Sequence, residues 1–312
     1  MLKQDSDNYI VEYPQAVAFA EEQEKILWFP KEINVEKDVQ DIRTNLTEAE
    51  RHGVTTTLKL FTKYELIVGD DYWQQLTQRI KKPACVSRMA SLFQYVEKGI
   101  HAPFYSNINT ALGLGTEEFY SEYVNDSLLA DRIGYLETMS RESDEDFLTV
   151  LALTEGAILY SSFAFLKHFQ SQGKNKIMNI VAGINFSVRD ESLHSLASSW
   201  LYNTLMEEGG SRNEARVYEI AEHVRAHEHA ITDKIFEKGD IENITATQMK
   251  NFVDSRIDLV LRNLGYKPLY NPSHNPIADW FYKSINDYVA NDFFTRTGRE
   301  YTRGRNVEEF IK

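Results

Sequence analysis

Two of the most apolar stretches of this chain each hold a carboxylate in their middle. Glu155 sits in LALTEGAILYSSF, and Glu191 sits with His194 in SVRDESLHSLA. An unpaired carboxylate inside an apolar helix face is expensive, so such a group is normally paired or bound to metal. In Glu-x-x-His the two side chains lie about 60° apart around a helix that turns roughly 100° per residue, so both can grip one ion. That motif alone is weak. It constrains the fold because it needs partners on other helices.

The first half of the chain offers them. Glu65 lies in KYELIVGD, and Glu97 and His101 lie in VEKGIHAPFY. Two helices giving one Glu each, and two giving Glu and His, is the ligand plan of a ferritin-like helical bundle with a dimetal carboxylate site in its core. Such oxygen and imidazole donors suit iron or manganese. The fold class expected is therefore all-α.

The rest of the sequence agrees. Only 15 Gly and 7 Pro interrupt 312 residues. Helical spacing of apolar residues predicts one helix from Leu46, with a Thr47 cap and Glu50 three residues on. A second runs through CVSRMASLFQYVEKGIHAPFYSNINTAL, where Pro103 should bend it. DEDFLTVLALTEGAILYSSFAFLKHF and KIMNIVAGINFSVRDESLHSLASSWLYNTLM predict a third and a fourth, and further helices cover Arg212–Glu237 and Thr245–Leu264. Residues 1–45 look irregular, with Pro14 and Pro30 as breaks. One domain is expected over residues 1–290, followed by a flexible C-terminal tail over 291–312.

Composition excludes several functions. Net charge is −13, with a pI near 5.2, which argues against non-specific nucleic-acid binding. The one cysteine, Cys85, rules out an internal disulfide and makes a Cys-based zinc site a poor reading. The N-terminus lacks an apolar signal core, and no apolar run of about 18 residues stands out, so no membrane span is expected and the cytosol is the expected location.

Five segments, in order, resemble the small, radical-generating subunit of class I ribonucleotide reductase. IVEYPQAVAFAEEQEKILWFPKEINVEKD is similar to that family's N-terminal segment, including Trp-x-Pro-x-Glu at Trp28. KLFTKYELIVGDD resembles its first-ligand helix, and FQYVEKGIHAPFY the helix with the second Glu, the first His and a tyrosine four residues on. TEGAILYSSFAF and VRDESLH resemble the remaining ligand segments, and FFTRTGREYTRG the tail with a second redox tyrosine.

The resemblance implies that Glu65, Glu97, His101, Glu155, Glu191 and His194 ligate two metal ions per chain. Fe/Fe is expected first, with Mn/Mn or Mn/Fe as alternatives. It further implies that Tyr105 holds a radical, that Trp28 and Asp190 begin an electron path near His101, and that Tyr301 passes the radical on. The partner implied is the large catalytic subunit, which reduces ribonucleotides. A homodimer is implied too, and whether a flavoprotein activates the metal site is left open.

The chain departs from the family pattern twice. Glu65 stands where Asp is the commoner choice. EKGIH spaces Glu and His as Glu-x-x-x-His, so an ungapped match puts Lys98 at the ligand position. Lysine cannot ligate as a cation. Glu97 can reach the same face, helped by a π-bulge, while a Lys98 ammonium in its place would lower metal affinity.

Other residues have bland readings. Tyr105 is one of 17 tyrosines, Trp28 could be a packing anchor, Asp190 a surface acid and Tyr301 a plain tail residue. Leu159 and Phe163, one and two turns after Glu155, are expected to wall Tyr105 in apolar surroundings. His223, His227 and His229 look like a solvated face, and Asp70 and Asp71 like a polar helix end. The competing functions are a stand-alone dimetal oxidase or hydroxylase on the same bundle, and iron storage.

Overall fold

The computed structural model describes residues 2, 8–80, 83–273 and 275–283. Among the described residues, eight long helical runs build the fold. They are α1 (Pro14–Ile26), α2 (Glu48–Ile67, continuing through a π-segment Val68–Gln74 to Gln75–Arg79) and α3 (Ala84–Val96, a π-segment Glu97–His101, then Ala102–Leu112). Then come α4 (Ser127–Met139) and α5 (Asp144–Leu153, a π-segment Thr154–Ile158, then Leu159–Lys167). α6 (Met178–Glu207), α7 (Glu214–Ile235) and α8 (Ala246–Asn263) complete the set. Among the described residues the only β-type pairing is the isolated bridge Ile241–Ile244.

The helix starts follow local chemistry. Thr47 caps α2 through a capping box: its hydroxyl accepts the Glu50 amide at 3.2 Å, and the Glu50 carboxylate accepts the Thr47 amide at 2.9 Å. Thr245 repeats the device with Gln248 at the start of α8. Gly113 ends α3 in the left-handed region at φ +76°, where a missing Cβ removes the penalty.

The irregular N-terminal segment expected over residues 1–45 is corrected by α1 and by short helical turns at Pro30–Glu32, Val35–Asp38 and Asp41–Asn45. Pro14 is the first residue of α1, where its missing N–H costs nothing, so it starts the helix instead of breaking it. Pro103 behaves similarly. It falls in the first turn after the π-segment of α3, where the hydrogen-bond ladder restarts.

The core is one apolar cluster reaching across all eight runs. α5 and α6 pack along each other, α1 lies on α3, α2 lies on α3, and α7 pairs with α8. Asp144–Gly173 has the length and apolar composition to cross a membrane, which corrects the expectation that no stretch does; its most apolar window is wholly buried inside the protein. The ladder on α2 is anchored to the approach to α6 by a buried ion cluster. Glu50, 2% exposed, meets Lys174 at 2.7 Å and Lys176 at 3.0 Å. The expected tail, residues 291–312 with Tyr301, lies outside the described residues.

Candidate metal centre

Four helices aim the six candidate ligands at one point. Three of them do so at or beside a π-segment: Glu65 just precedes that of α2, Glu97 and His101 bound that of α3, and Glu155 lies in that of α5. α6 is a regular α-helix and presents Glu191 and His194 three residues apart. A π-turn adds a residue to one turn without redirecting the flanking helix. In α3 the extra residue lets Glu97 and His101 both face inward, although they are four apart. Lys98 faces out: its side chain is 38% exposed and pairs with Asp70. The structure thus brings Glu97, and not Lys98, to the cluster.

All six side chains are 0% exposed. They form two overlapping groups of potential donors, Glu65–Glu97–His101–Glu191 and Glu97–Glu155–Glu191–His194, each with its donor atoms within 4.8 Å of one another. Glu97 and Glu191 belong to both. The His101 Nδ1 lies 2.9 Å from Glu191 Oε1 and 3.4 Å from both Glu65 Oε2 and Glu97 Oε2. The His194 Nδ1 lies 2.9 Å from Glu97 Oε1, 3.0 Å from Glu191 Oε2 and 3.8 Å from Glu155 Oε2.

Outer partners hold both imidazoles in one tautomer. His101 Nε2–H donates to Asp190 Oδ2 at 3.0 Å, and His194 Nε2–H donates to Gln23 Oε1 at 3.0 Å. Each Nδ1 is then the ring atom that faces the cluster. Asp190 also accepts from Trp28 Nε1 at 2.8 Å and from Gln23 Nε2 at 3.0 Å. Such partners fix ring orientation and raise donor basicity at metal sites. Trp73 Nε1 donates to Glu155 Oε1 at 2.5 Å, leaving Oε2 to face the cluster. The Trp28 ring lies 6.0 Å from that of His101 and stacks on Phe186 at 5.3 Å.

Without cations this core is electrostatically unbalanced. Burial first, then the charge of Glu97, pushes the Glu65 carboxyl well above the usual carboxylate range. Burial, then Glu191 and Glu97, does the same to Glu155. Burial would lower the His101 imidazole, yet the charges of Glu97 and Glu191 outweigh it and raise it well above its ordinary value. Both oxygens of Glu65, Glu97 and Glu191, one of Glu155, and both Nδ1 atoms are buried without a hydrogen bond. Buried polar atoms orphaned in such numbers at one point signal a missing positive partner. Four carboxylates with two neutral imidazoles match the charge of two divalent cations, so the residues fit a dimetal group.

Tyr105 is fully buried on α3, one turn beyond His101. Its ring stacks on Phe61 at 4.3 Å with 3° between planes, and Phe104 lies at 5.1 Å. Phe163 reaches it one ring removed, by stacking on Phe61 at 5.3 Å. The ring stacked on Tyr105 is thus Phe61, four residues before Glu65, where Leu159 and Phe163 were expected; Phe163 lies behind it. Burial, then the charge of Glu65, pushes the Tyr105 phenol well above its ordinary value.

The remaining candidates are placed elsewhere. His223 stacks on Tyr135 and is exposed, while His229 pairs with Asp254 at 2.8 Å. Asp70 and Asp71 lie in the π-segment after Glu65, away from the cluster, and Asp70 holds Lys98. Sequence reasoning missed Gln23, Trp73 and Phe61. Only Phe61 carried a local signal, since it lies four residues before Glu65 on the same helix.

A helical bundle that buries four glutamates and two histidines from four helices around one point is a ferritin-like carboxylate protein of the dimetal class. The profile of the family described as ribonucleotide reductase, small chain, matches residues 8–276. The chain belongs to that family. A probable ribonucleoside-diphosphate reductase small subunit of Invertebrate iridescent virus 3 is 27% identical over 319 residues, covering 94% of this chain and 83% of that protein. The ribonucleoside-diphosphate reductase 2 subunit beta of Escherichia coli (strain K12) is 23% identical over 294 residues, covering 90% and 88%. In fold, the chain is similar to the dimanganese(II)-NrdF of Streptococcus sanguinis, with TM-score 0.76, 19% identity and coverage of 88% and 98%. It is also similar to a putative class I ribonucleotide reductase of Bacillus halodurans, with TM-score 0.78, 20% identity and coverage of 88% and 100%.

Proposed function

We propose that this small chain generates and stores a tyrosyl radical on Tyr105 and delivers its oxidising equivalent to a separate large catalytic subunit, where ribonucleotides become deoxyribonucleotides. The observation that carries the reading is the pair of overlapping ligand groups sharing Glu97 and Glu191, with Tyr105 buried one turn beyond His101. Glu65, Glu97, His101 and Glu191 would hold one ion, and Glu97, Glu155, Glu191 and His194 the other.

Two ions held there would supply, with dioxygen, the oxidising power for loss of one electron and the phenolic proton from Tyr105. Everything else is done by the chain. Phe61, Phe104 and the second-rank Phe163 keep water and reductants from the phenol. Asp190 and Gln23 fix the imidazole tautomers, and Trp73 holds one oxygen of Glu155. The route outward runs from His101 through Asp190 to the Trp28 indole, a hydrogen-bonded series with each link at 3.0 Å or less. Tyr301, in the C-terminal segment, would carry the equivalent across to the partner. Iron at both positions is the proposed metal content, with manganese the alternative that the same donor set accepts. A homodimer working in the cytosol is part of the reading.

Aerobic reconstitution of purified apo-protein, followed by low-temperature EPR and metal analysis, tests it. Two metal ions per chain and a tyrosyl signal absent from Tyr105→Phe are expected. Wild-type protein that takes up no dimetal site after anaerobic loading with Fe(II) or Mn(II) sinks the reading.

A further inference from the structure

Arg256, on α8, is 5% exposed. Burying a guanidinium is costly unless a counter-charge or a full set of acceptors compensates. Among the described residues no carboxylate lies within ion-pairing distance of it. Its partners are neutral. Nε donates to the Gly156 carbonyl at 2.8 Å, Nη1 donates to the Tyr282 hydroxyl at 2.7 Å, and the guanidinium lies 3.7 Å from the Tyr160 ring centroid.

Gly156 is the residue after Glu155, inside the π-segment Thr154–Ile158. A π-turn shifts carbonyls out of the ordinary ladder, and in a buried core each still needs a donor. A second buried arginine, Arg132, points at the same segment. It pairs with Glu228 at 2.6 Å and directs Nη2 to the Ile158 carbonyl at 3.4 Å. The bulge is also gripped sterically. A Cβ on Gly156 would lie 2.4 Å from both Ser195 Oγ and Val260 Cγ2. Val260 is one turn beyond Arg256, so one face of α8 supplies both the hydrogen bond and the wall.

We infer that Arg256 is a positioning residue for the metal centre: its hydrogen bond to Gly156 holds the π-turn that aims the Glu155 carboxylate. Trp73 fixes one carboxylate oxygen, and Arg256 fixes the backbone from which that carboxylate hangs. The role is local to one of the two ligand groups. Glu155 belongs only to the group with His194, so loss of Arg256 weakens that metal position and spares the one built on Glu65 and His101. The inference rests on reading the cluster as a two-metal centre.

The test is anaerobic Mn(II) titration of full-length apo-protein, followed by EPR and metal analysis. Wild type should bind two ions and show a spin-coupled pair. Arg256→Gln should lose affinity at one position only, by about the 10–100-fold usual when an outer partner of a ligand is removed, leaving an uncoupled mononuclear Mn(II) signal. Arg256→Lys keeps a donor for the Gly156 carbonyl and should retain more of the coupled signal than Gln. Ile220→Ala, a buried residue on α7, controls for lost stability and should keep two coupled ions. Should Arg256→Gln fail to fold, Arg256→Met, which keeps much of the side-chain volume but has no donor for the Gly156 carbonyl, decides: wild-type affinity at both positions, or an equal loss at both, overturns the inference. If wild type itself binds no pair of ions, the two-metal reading falls first; if only Arg256→Gln behaves like wild type, the role of Arg256 alone is lost.

Discussion

Glu97 and Lys98 are neighbours in the chain and point in opposite directions, one sealed among the candidate ligands and the other out at the surface against Asp70. The π-turn between Glu97 and His101 makes this division. Glu97→Gln should therefore lower metal occupancy sharply at both positions, because Glu97 belongs to both donor groups. Lys98→Met should load normally. Metal analysis after anaerobic loading separates the two, and the opposite pattern would place the lysine in the centre.

The stack of Tyr105 on Phe61 makes a prediction about lifetime. Phe61→Ala removes a fully buried ring and should cost about 3–5 kcal/mol of stability, as large-to-small core changes do. It should also let water reach the phenol. In protein that still loads metal, the Tyr105 radical is expected to form and decay faster than in wild type, followed by EPR over time. An unchanged decay would mean that the ring only fills space.

Glu50 gives the apo-protein a pH signature. Burial would raise its carboxyl, but hydrogen bonds from Lys174, the Thr47 amide and Lys176 outweigh this and hold it at about 2, against 4.5 for an ordinary glutamate. A carboxyl depressed in the folded state stabilises it above the unfolded value, and that contribution fades as pH falls from about 4.5 to about 2. Glu50→Gln should lower stability at neutral pH and flatten the acid limb in that window. Denaturant melts of the metal-free protein across the range measure it. Parallel acid limbs for variant and wild type would remove Glu50 from the account.

The roles proposed for the C-terminal segment, binding and transfer, can be tested apart. VEEFIK ends the chain with acids beside Phe310 and Ile311, a pattern suited to docking in a groove on a partner. Deleting it should abolish complex formation and turnover with the large subunit while leaving the Tyr105 radical intact. Tyr301→Phe should keep both binding and the radical, yet remove turnover. Near-normal nucleotide reduction by Tyr301→Phe would reduce Tyr301 to tail.

Much of this was legible in the sequence, for identifiable reasons. Glu155 and Glu191 stood out because charge inside an apolar helix demands compensation, and the Thr47 cap because capping is chemistry within four residues. Pro14 was misread because a proline marks both the start of a helix and its interruption, and which one depends on the turn that follows. Gln23, Trp73 and Arg256 were invisible because each acts on a residue far off in the chain, and nothing in a helix's own periodicity says which distant carbonyl or carboxylate its polar side chain will meet. The π-turns are harder still. Each inserts a residue that no local periodicity marks, so a fixed Glu-x-x-His spacing lands on Lys98.

Gln23 ties the two halves of the centre together. Its amide nitrogen faces Asp190 and its amide oxygen faces the His194 N–H, while Asp190 receives His101 and Trp28. If that amide turned over, an oxygen would face a carboxylate and an N–H would face an N–H. The hydrogen-bonded set therefore admits one self-consistent arrangement of protons, and it works as a checksum: a mistake at any member shows at the others. A single carboxamide on the first helix thus links the proton on one imidazole to the carboxylate that receives the other.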